Sequence, residues 1–241
     1  MEYASHGELM QLLSQAIKFD SSLARFYAAQ VVLAFEYLHK HELIYRDLKP
    51  ENILMQSNGY IKLTDFGFIK RMKPWERTYT LCGTPEYMAP EVIMNTGHGA
   101  AADWYTLGIF LYEMMVGRPP FMHADTYEIF KMVLKEKVKF PNGFPTDAKS
   151  LIKHLTVHDL SRRFGNLING IDDVKHHRFF KSLDFKQIEK RTMVAPYVPK
   201  EVNTQGYKKE RGLSSQFIPE FLDTENNPEI KPANDIFLKW F

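Results

Sequence analysis

An aspartate, a lysine two residues on and an asparagine five residues on stand together in Tyr45-Arg46-Asp47-Leu48-Lys49-Pro50-Glu51-Asn52. Pro50 lacks a backbone donor and biases Lys49 away from helical angles, so the stretch is a loop and no regular helix. An apolar run comes next, Ile53-Leu54-Met55, then Asn58-Gly59 and Tyr60-Ile61-Lys62-Leu63-Thr64. This pattern predicts a β-hairpin closed by a two-residue turn. The second strand delivers Asp65-Phe66-Gly67. A polar loop is thereby tied to a tight hairpin with a carboxylate at each end. That layout suits chemistry needing one carboxylate near a hydroxyl and another on a metal.

Helices must position this loop. Asp20, Ser21 and Ser22 offer N-cap oxygens, and Leu23, Phe26, Tyr27, Gln30, Val31, Ala34 and Leu38 recur at helical spacing up to His39. Upstream, Gly7-Glu8-Leu9 reads as a turn into a helix. Asp103 to Val116 is apolar on nearly every face, the mark of a buried helix, and Gly117 can end it. Further helices are expected near 126–135 and 147–155. Residues 69–87 carry no clean period and read as a long functional loop. From about Phe185 the pattern weakens and prolines recur, which reads as an extended tail.

Composition excludes several classes. The chain has 241 residues, 44% hydrophobic and 14% aromatic, enough for a sizeable core. A net charge of +2 gives no electrostatic case for nucleic acid. The single cysteine, Cys82, rules out an intrachain disulfide and reads as an inert thiol. No apolar run reaches membrane-spanning length. A soluble intracellular protein is expected, cytoplasmic with access to the nucleus.

The loop, Asp65-Phe66-Gly67, Gly83-Thr84-Pro85-Glu86-Tyr87 and Ala89-Pro90-Glu91 occur in the order and spacing of the protein kinases. Tyr45 in place of the usual histidine, and Thr78-Tyr79-Thr80-Leu81-Cys82-Gly83-Thr84, resemble the AGC group, and within it the cAMP-dependent catalytic subunits. The resemblance implies a mainly α fold: a kinase large lobe with a small β-hairpin at the catalytic loop, residues 1–185, then an AGC-type tail, 186–241. It implies ATP and Mg²⁺ as cofactors, with Asp47 on the substrate hydroxyl and Lys49 on the transferring phosphoryl group. Asn52 and Asp65 would hold the metal. Glu2, Ala4, Glu8, Leu54 and Thr64 would meet the nucleoside.

The same resemblance implies further roles. Thr80 matches a phosphorylated activation-loop threonine whose phosphate Arg46 and Lys70 would receive. Glu91 should pair with Arg163, and Asp103 should hold the catalytic-loop backbone. Glu8, Glu51 and Glu113 would bind arginines upstream of the phosphorylated Ser or Thr, while Leu81, Pro85 and Met88 would line the pocket for the residue after it. A cyclic-nucleotide-binding regulatory subunit is an implied partner, with Tyr79 and Phe130 as aromatic contacts.

No Gly-x-Gly-x-x-Gly occurs among the 13 glycines, and Lys62 lies on the wrong strand to be the phosphate lysine. Met1-Glu2-Tyr3-Ala4 resembles the hinge between lobes, so a truncated gene model or fragment with little activity alone is expected. A non-catalytic binding module and a cGMP-dependent kinase fragment are the alternatives. The closing Phe237-Leu238-Lys239-Trp240-Phe241 resembles an aromatic motif that docks on the small lobe.

Overall fold

The structure, a computed structural model, describes residues 6–199; Glu2, Ala4 and the aromatic end at 237–241 lie outside them. Helix α1 (Leu9–Ala16) comes after Gly7 and Glu8, and α2 (Ser21–Lys40) starts where Asp20 accepts a hydrogen bond from Leu23 N at 2.8 Å. That side chain satisfies one of the donors a helix start leaves unpaired. Strand β1 (Leu43–Ile44) leads into the loop, which a 3₁₀ turn at Pro50–Asn52 closes. Strands β2 (Ile53–Met55) and β3 (Ile61–Leu63) then pair antiparallel, with Ile53 opposite Leu63. Gly7 and Glu8 extend this hairpin: Met55 N donates to Gly7 O, and Glu8 bridges Leu54.

The turn is not the two-residue type that Asn58-Gly59 suggests. Gly59 N donates to Gln56 O at 2.9 Å and Gln56 N to Tyr60 O at 2.8 Å, which leaves Ser57–Gly59 as a three-residue connection. Only Gly59 has positive φ there, +80°, and the Asn58 carboxamide accepts from Tyr60 N instead. A second difference lies in the long loop. Strand β4 (Lys70–Arg71) pairs with β1, Leu43 facing Arg71. Two-residue strands are too short to show a period, which is why the sequence pattern hides them.

After a short helix α3 (Pro90–Ile93) comes α4 (Ala101–Val116), buried from Ala101 through Met115. It is the axis of the lobe, packed between α2 and α6 (Thr146–Leu155), with α5 (Thr126–Lys135) set outside on α3. Helices α7 (Asp172–Lys175) and α8 (Phe185–Glu189) close the far end. Helix α8 corrects the reading of extended chain from Phe185: Ile188 is fully buried, and residues 193, 195 and 197 pack on the same core. One contact motif per turn is too little for a periodic signal. The mainly helical large-lobe architecture with its small hairpin is otherwise as expected, and among the described residues no helix is long and apolar enough to cross a membrane.

Gly117 ends α4 at φ +89°, and a Cβ there would stand 2.1 Å from the Ile17 carbonyl oxygen. Gly117→Ala combines left-handed strain with that collision. It is expected to lower unfolding free energy by about 2 kcal/mol or more in urea titrations; a change below about 0.5 kcal/mol would contradict this packing.

Candidate active site

The catalytic-looking loop is fixed from below by one carboxylate. Asp103, fully buried in the first turn of α4, accepts from Tyr45 N at 2.9 Å and Arg46 N at 2.8 Å, and meets His39 Nε2 at 2.8 Å. Arg46 is held at φ +71°, a conformation costly for a long side chain unless its surroundings enforce it. A second buried pair supports the far side. Arg163 Nη1 and Nη2 meet the Glu91 oxygens at 2.6 and 3.0 Å, and Arg163 also donates to the carbonyls of Ala101 and Val157. Both contacts match the sequence expectation.

Above this base, Asp47 is 4% exposed and surrounded by donors. Asn52 Nδ2 donates to its Oδ2 at 2.7 Å and to its backbone oxygen at 2.9 Å. Lys49 Nζ lies 3.3 Å from the same Oδ2 and donates to Thr84 Oγ1 at 3.0 Å, while Thr84 donates onward to Asp47 Oδ1 at 3.2 Å. Asp47, Lys49 and Asn52 are thus assembled as the sequence predicts. Thr84 is the member that sequence reasoning passed over. It stands 37 positions from Asp47, inside a motif used only as a landmark, and no local spacing rule connects the two.

The second carboxylate is held nearby. Thr64 N donates to Asn52 O at 2.9 Å, the Tyr45 hydroxyl donates to Thr64 O, and Phe66 sets its edge against the Tyr45 ring at 6.0 Å. Asp65 takes φ +53°, and its Oδ1 accepts from Gly67 N at 3.1 Å. Asn52 has its nitrogen committed to Asp47, so its amide oxygen is the remaining ligand atom; Asp65 retains Oδ2. Both are hard oxygen donors of the kind Mg²⁺ takes. Among the described residues no cluster of three His, Cys, Asp or Glu is close enough to hold a metal, and Mg²⁺ characteristically binds through one or two protein oxygens with waters or phosphates filling the rest of its shell. The donor set fits that kind of ion.

A separate group of carboxylates surrounds Glu113. Its side chain is 5% exposed, and among the described residues neither its Oε2 nor the Tyr87 hydroxyl has a hydrogen-bond partner. Burial, then the negative charges of Glu51 and Glu86, push the Glu113 carboxyl up to about 7. Glu51 and Glu86 therefore act on Glu113 electrostatically, and Glu86 is a member that the sequence reading did not include. Glu8 forms the bridge to Leu54 just ahead of α1. Leu81 is 56% exposed and Pro85 half-buried, but Met88 is 8% exposed and lines an enclosed pocket with Cys82, Thr84 and Arg46. Burial raises the Cys82 thiol, in keeping with an inert side chain.

Thr80 is exposed, its Oγ1 3.4 Å from Thr78 Oγ1. Lys70 Nζ donates to that Thr78 oxygen at 2.9 Å. Arg46 Nε donates to Phe68 O at 2.7 Å, and its buried Nη1 has no partner among the described residues.

The family model for the protein kinase domain matches residues 1–180. A cAMP-dependent protein kinase catalytic subunit of Dictyostelium discoideum is 46% identical over 234 residues, 97% of this chain and 34% of its own length. A human cAMP-dependent protein kinase catalytic subunit, PRKX, is 50% identical over 83% of this chain and 55% of its length. A Caenorhabditis elegans cAMP-dependent protein kinase, catalytic subunit-like, is 44% identical over 100% of this chain and 58% of its length. The chain spans between about a third and three fifths of these relatives' own length.

The Glu113 carboxyl also makes stability depend on pH. Raised from 4.5 to about 7, it keeps in the folded state a proton that the unfolded chain has lost. Folding stability therefore falls as pH rises from 4.5 through 7 and levels off above, a total of roughly 3 kcal/mol. Glu113→Gln should remove that loss, so the variant gains on the native chain between pH 5 and pH 8 in denaturant titrations. Parallel pH profiles for the two proteins would refute the buried, uncompensated charge.

Proposed function

Because the chain belongs to the protein kinase family, close to the cAMP-dependent catalytic subunits of its AGC group, we propose that its site serves transfer of the ATP γ-phosphoryl group to serine or threonine hydroxyls of proteins with arginine upstream. The observation that carries this reading is Asp47, a nearly buried carboxylate fixed by Asn52, Lys49 and Thr84. A substrate hydroxyl approaching Asp47 donates to it and is thereby oriented for attack. Lys49, steadied on Thr84, places a cation where negative charge gathers on the transferring group.

MgATP, when bound, supplies the phosphoryl group and the divalent charge that shields it. Asn52 and Asp65 are the residues suited to the metal. Glu8 and Leu54, joined by their bridge, and Thr64, held by Tyr45, would meet the nucleoside together with Glu2 and Ala4.

Substrate choice rests on Glu113. A buried carboxylate with one oxygen unpartnered among the described residues and two other carboxylates acting on it would be relieved by a guanidinium, which can donate to both oxygens of a carboxylate. Glu51 and Glu8 would read further arginines, and Leu81 and Pro85 present apolar surface for the residue after the phosphosite, with Met88 beneath. Thr80 is the proposed phosphorylation site, with Arg46 and Lys70 as its cations. Tyr79, 60% exposed, and half-buried Phe130 support a regulatory-subunit contact.

Asp47→Asn in the intact protein should lower turnover by about 10²- to 10⁴-fold while leaving peptide affinity within a factor of about three; unchanged turnover sinks the assignment. A peptide array should show selection for arginine upstream of Ser or Thr, lost in Glu113→Gln, and an array without that selection removes the specificity claim. Thr80→Ala should reduce activity, and equal rates for the two forms would dismiss Thr80 as regulatory.

A further inference from the structure

The segment carrying Thr80 lies against a buried histidine. Thr78 and His98 form an isolated antiparallel bridge, Thr78 N to His98 O at 3.0 Å and His98 N to Thr78 O at 2.9 Å. Residues that exchange both backbone bonds in this way project their side chains to the same face. On that face Thr78 Oγ1 contacts Thr80 Oγ1 at 3.4 Å and accepts from Lys70. His98, 2% exposed, also lines the enclosed pocket that Arg46 and Cys82 share behind the segment. We propose that His98 is a third basic partner of a phosphate on Thr80, acting beside Arg46 and Lys70 and making the order of this segment pH-dependent. The proposal rests on the reading of Thr80 as a modification site.

The charges around His98 are unevenly engaged. Arg46 faces it from the catalytic loop, Lys70 from β4, Glu91 from α3 and Asp103 from α4. Glu91 is committed to Arg163, and Asp103 to two backbone amides and His39. Lys70 donates to a neutral hydroxyl, and among the described residues Arg46 keeps one nitrogen unpartnered. Positive charge is therefore in excess on the side toward Thr80. Burial, reinforced by Arg46, holds the imidazole below its ordinary value of 6.5, which favours its neutral form while Thr80 carries a hydroxyl. A phosphate adding between about −1.5 and −2 charges would reverse that balance and favour the imidazolium.

The pH dependence changes sign between the two forms. With a hydroxyl at Thr80, the depressed histidine weakens the segment as pH falls below 6.5. With a phosphate, a raised histidine strengthens it at low pH, and that support is lost as pH climbs through the new value. The test uses the whole chain with phosphothreonine encoded at position 80 and verified by mass spectrometry, beside the hydroxyl form. Nuclear magnetic resonance titration of His98, assigned with His98→Gln, should show an upward shift of about one pH unit or more on phosphorylation. Limited proteolysis of residues 70–84 should show opposite pH trends in the two forms, and His98→Gln should flatten both.

An unchanged His98 titration in the verified phosphoprotein overturns the proposal, whatever the phosphate does to proteolysis. A shifted titration without added protection at any pH supports the coupling while removing the ordering role of Thr80. The two readings therefore fail separately.

Discussion

The carboxylate of Asp103 is the contact on which the site depends. It is buried in the central helix, and it accepts two consecutive backbone amides from a loop 57 and 58 residues earlier in the chain. Those amides lie where the chain must take the left-handed turn at Arg46, which local sterics oppose. Without an acceptor, each buried amide would cost about 1–3 kcal/mol, so the carboxylate and the turn stabilise one another. The residues after Arg46 inherit that placement: Asp47 meets Asn52 and Lys49, and the hairpin carries Asp65 back to the same edge. His39 on the same carboxylate ties α2 to α4 through the loop base.

The remaining electrostatics divide the lobe into two kinds of site. Glu91 and Arg163 satisfy each other completely and belong to the scaffold, since breaking such a pair strands a buried charge. Glu113 and Arg46 are the contrary case. Among the described residues each keeps an atom unpartnered, Glu113 beside the negative charges of Glu51 and Glu86, Arg46 sharing its surroundings at His98 with the cation of Lys70. Unsatisfied buried groups are tolerated where a partner arrives from outside the local structure. In the proposed function a substrate guanidinium would answer the first, and a phosphate on Thr80 would answer the second.

The long elements were legible because their pattern is local. Helix α2 announces itself through a cap at Asp20 and a periodic face, and α4 through an unbroken apolar stretch ended by glycine. The catalytic cluster was legible in part: the hairpin pattern alone put Asp47 and Asp65 at the two ends of one unit, while the separate roles of Asp47, Lys49 and Asn52 came only through resemblance to a known motif set. The elements that escaped have a common cause. The β1–β4 pair is two residues long, helix α8 barely more than a turn, and the hairpin turn differs because Asn58 uses its side chain where a tighter turn would use its backbone. Thr84, Glu86 and His98 escaped for a different reason: each acquires meaning only from residues tens of positions away, which the fold brings together and no local rule announces.

Hydrogen exchange at the Tyr45 and Arg46 amides in this chain tests the central claim most directly, because the claim is that Asp103 pre-organises the base of the catalytic loop through these two amides. Both amides should exchange at the rate of the α4 core, through global unfolding, although they lie outside any helix. In Asp103→Asn they should exchange at least about tenfold faster than the α4 amides. Loop-like exchange of Tyr45 and Arg46 in the native chain would contradict the account.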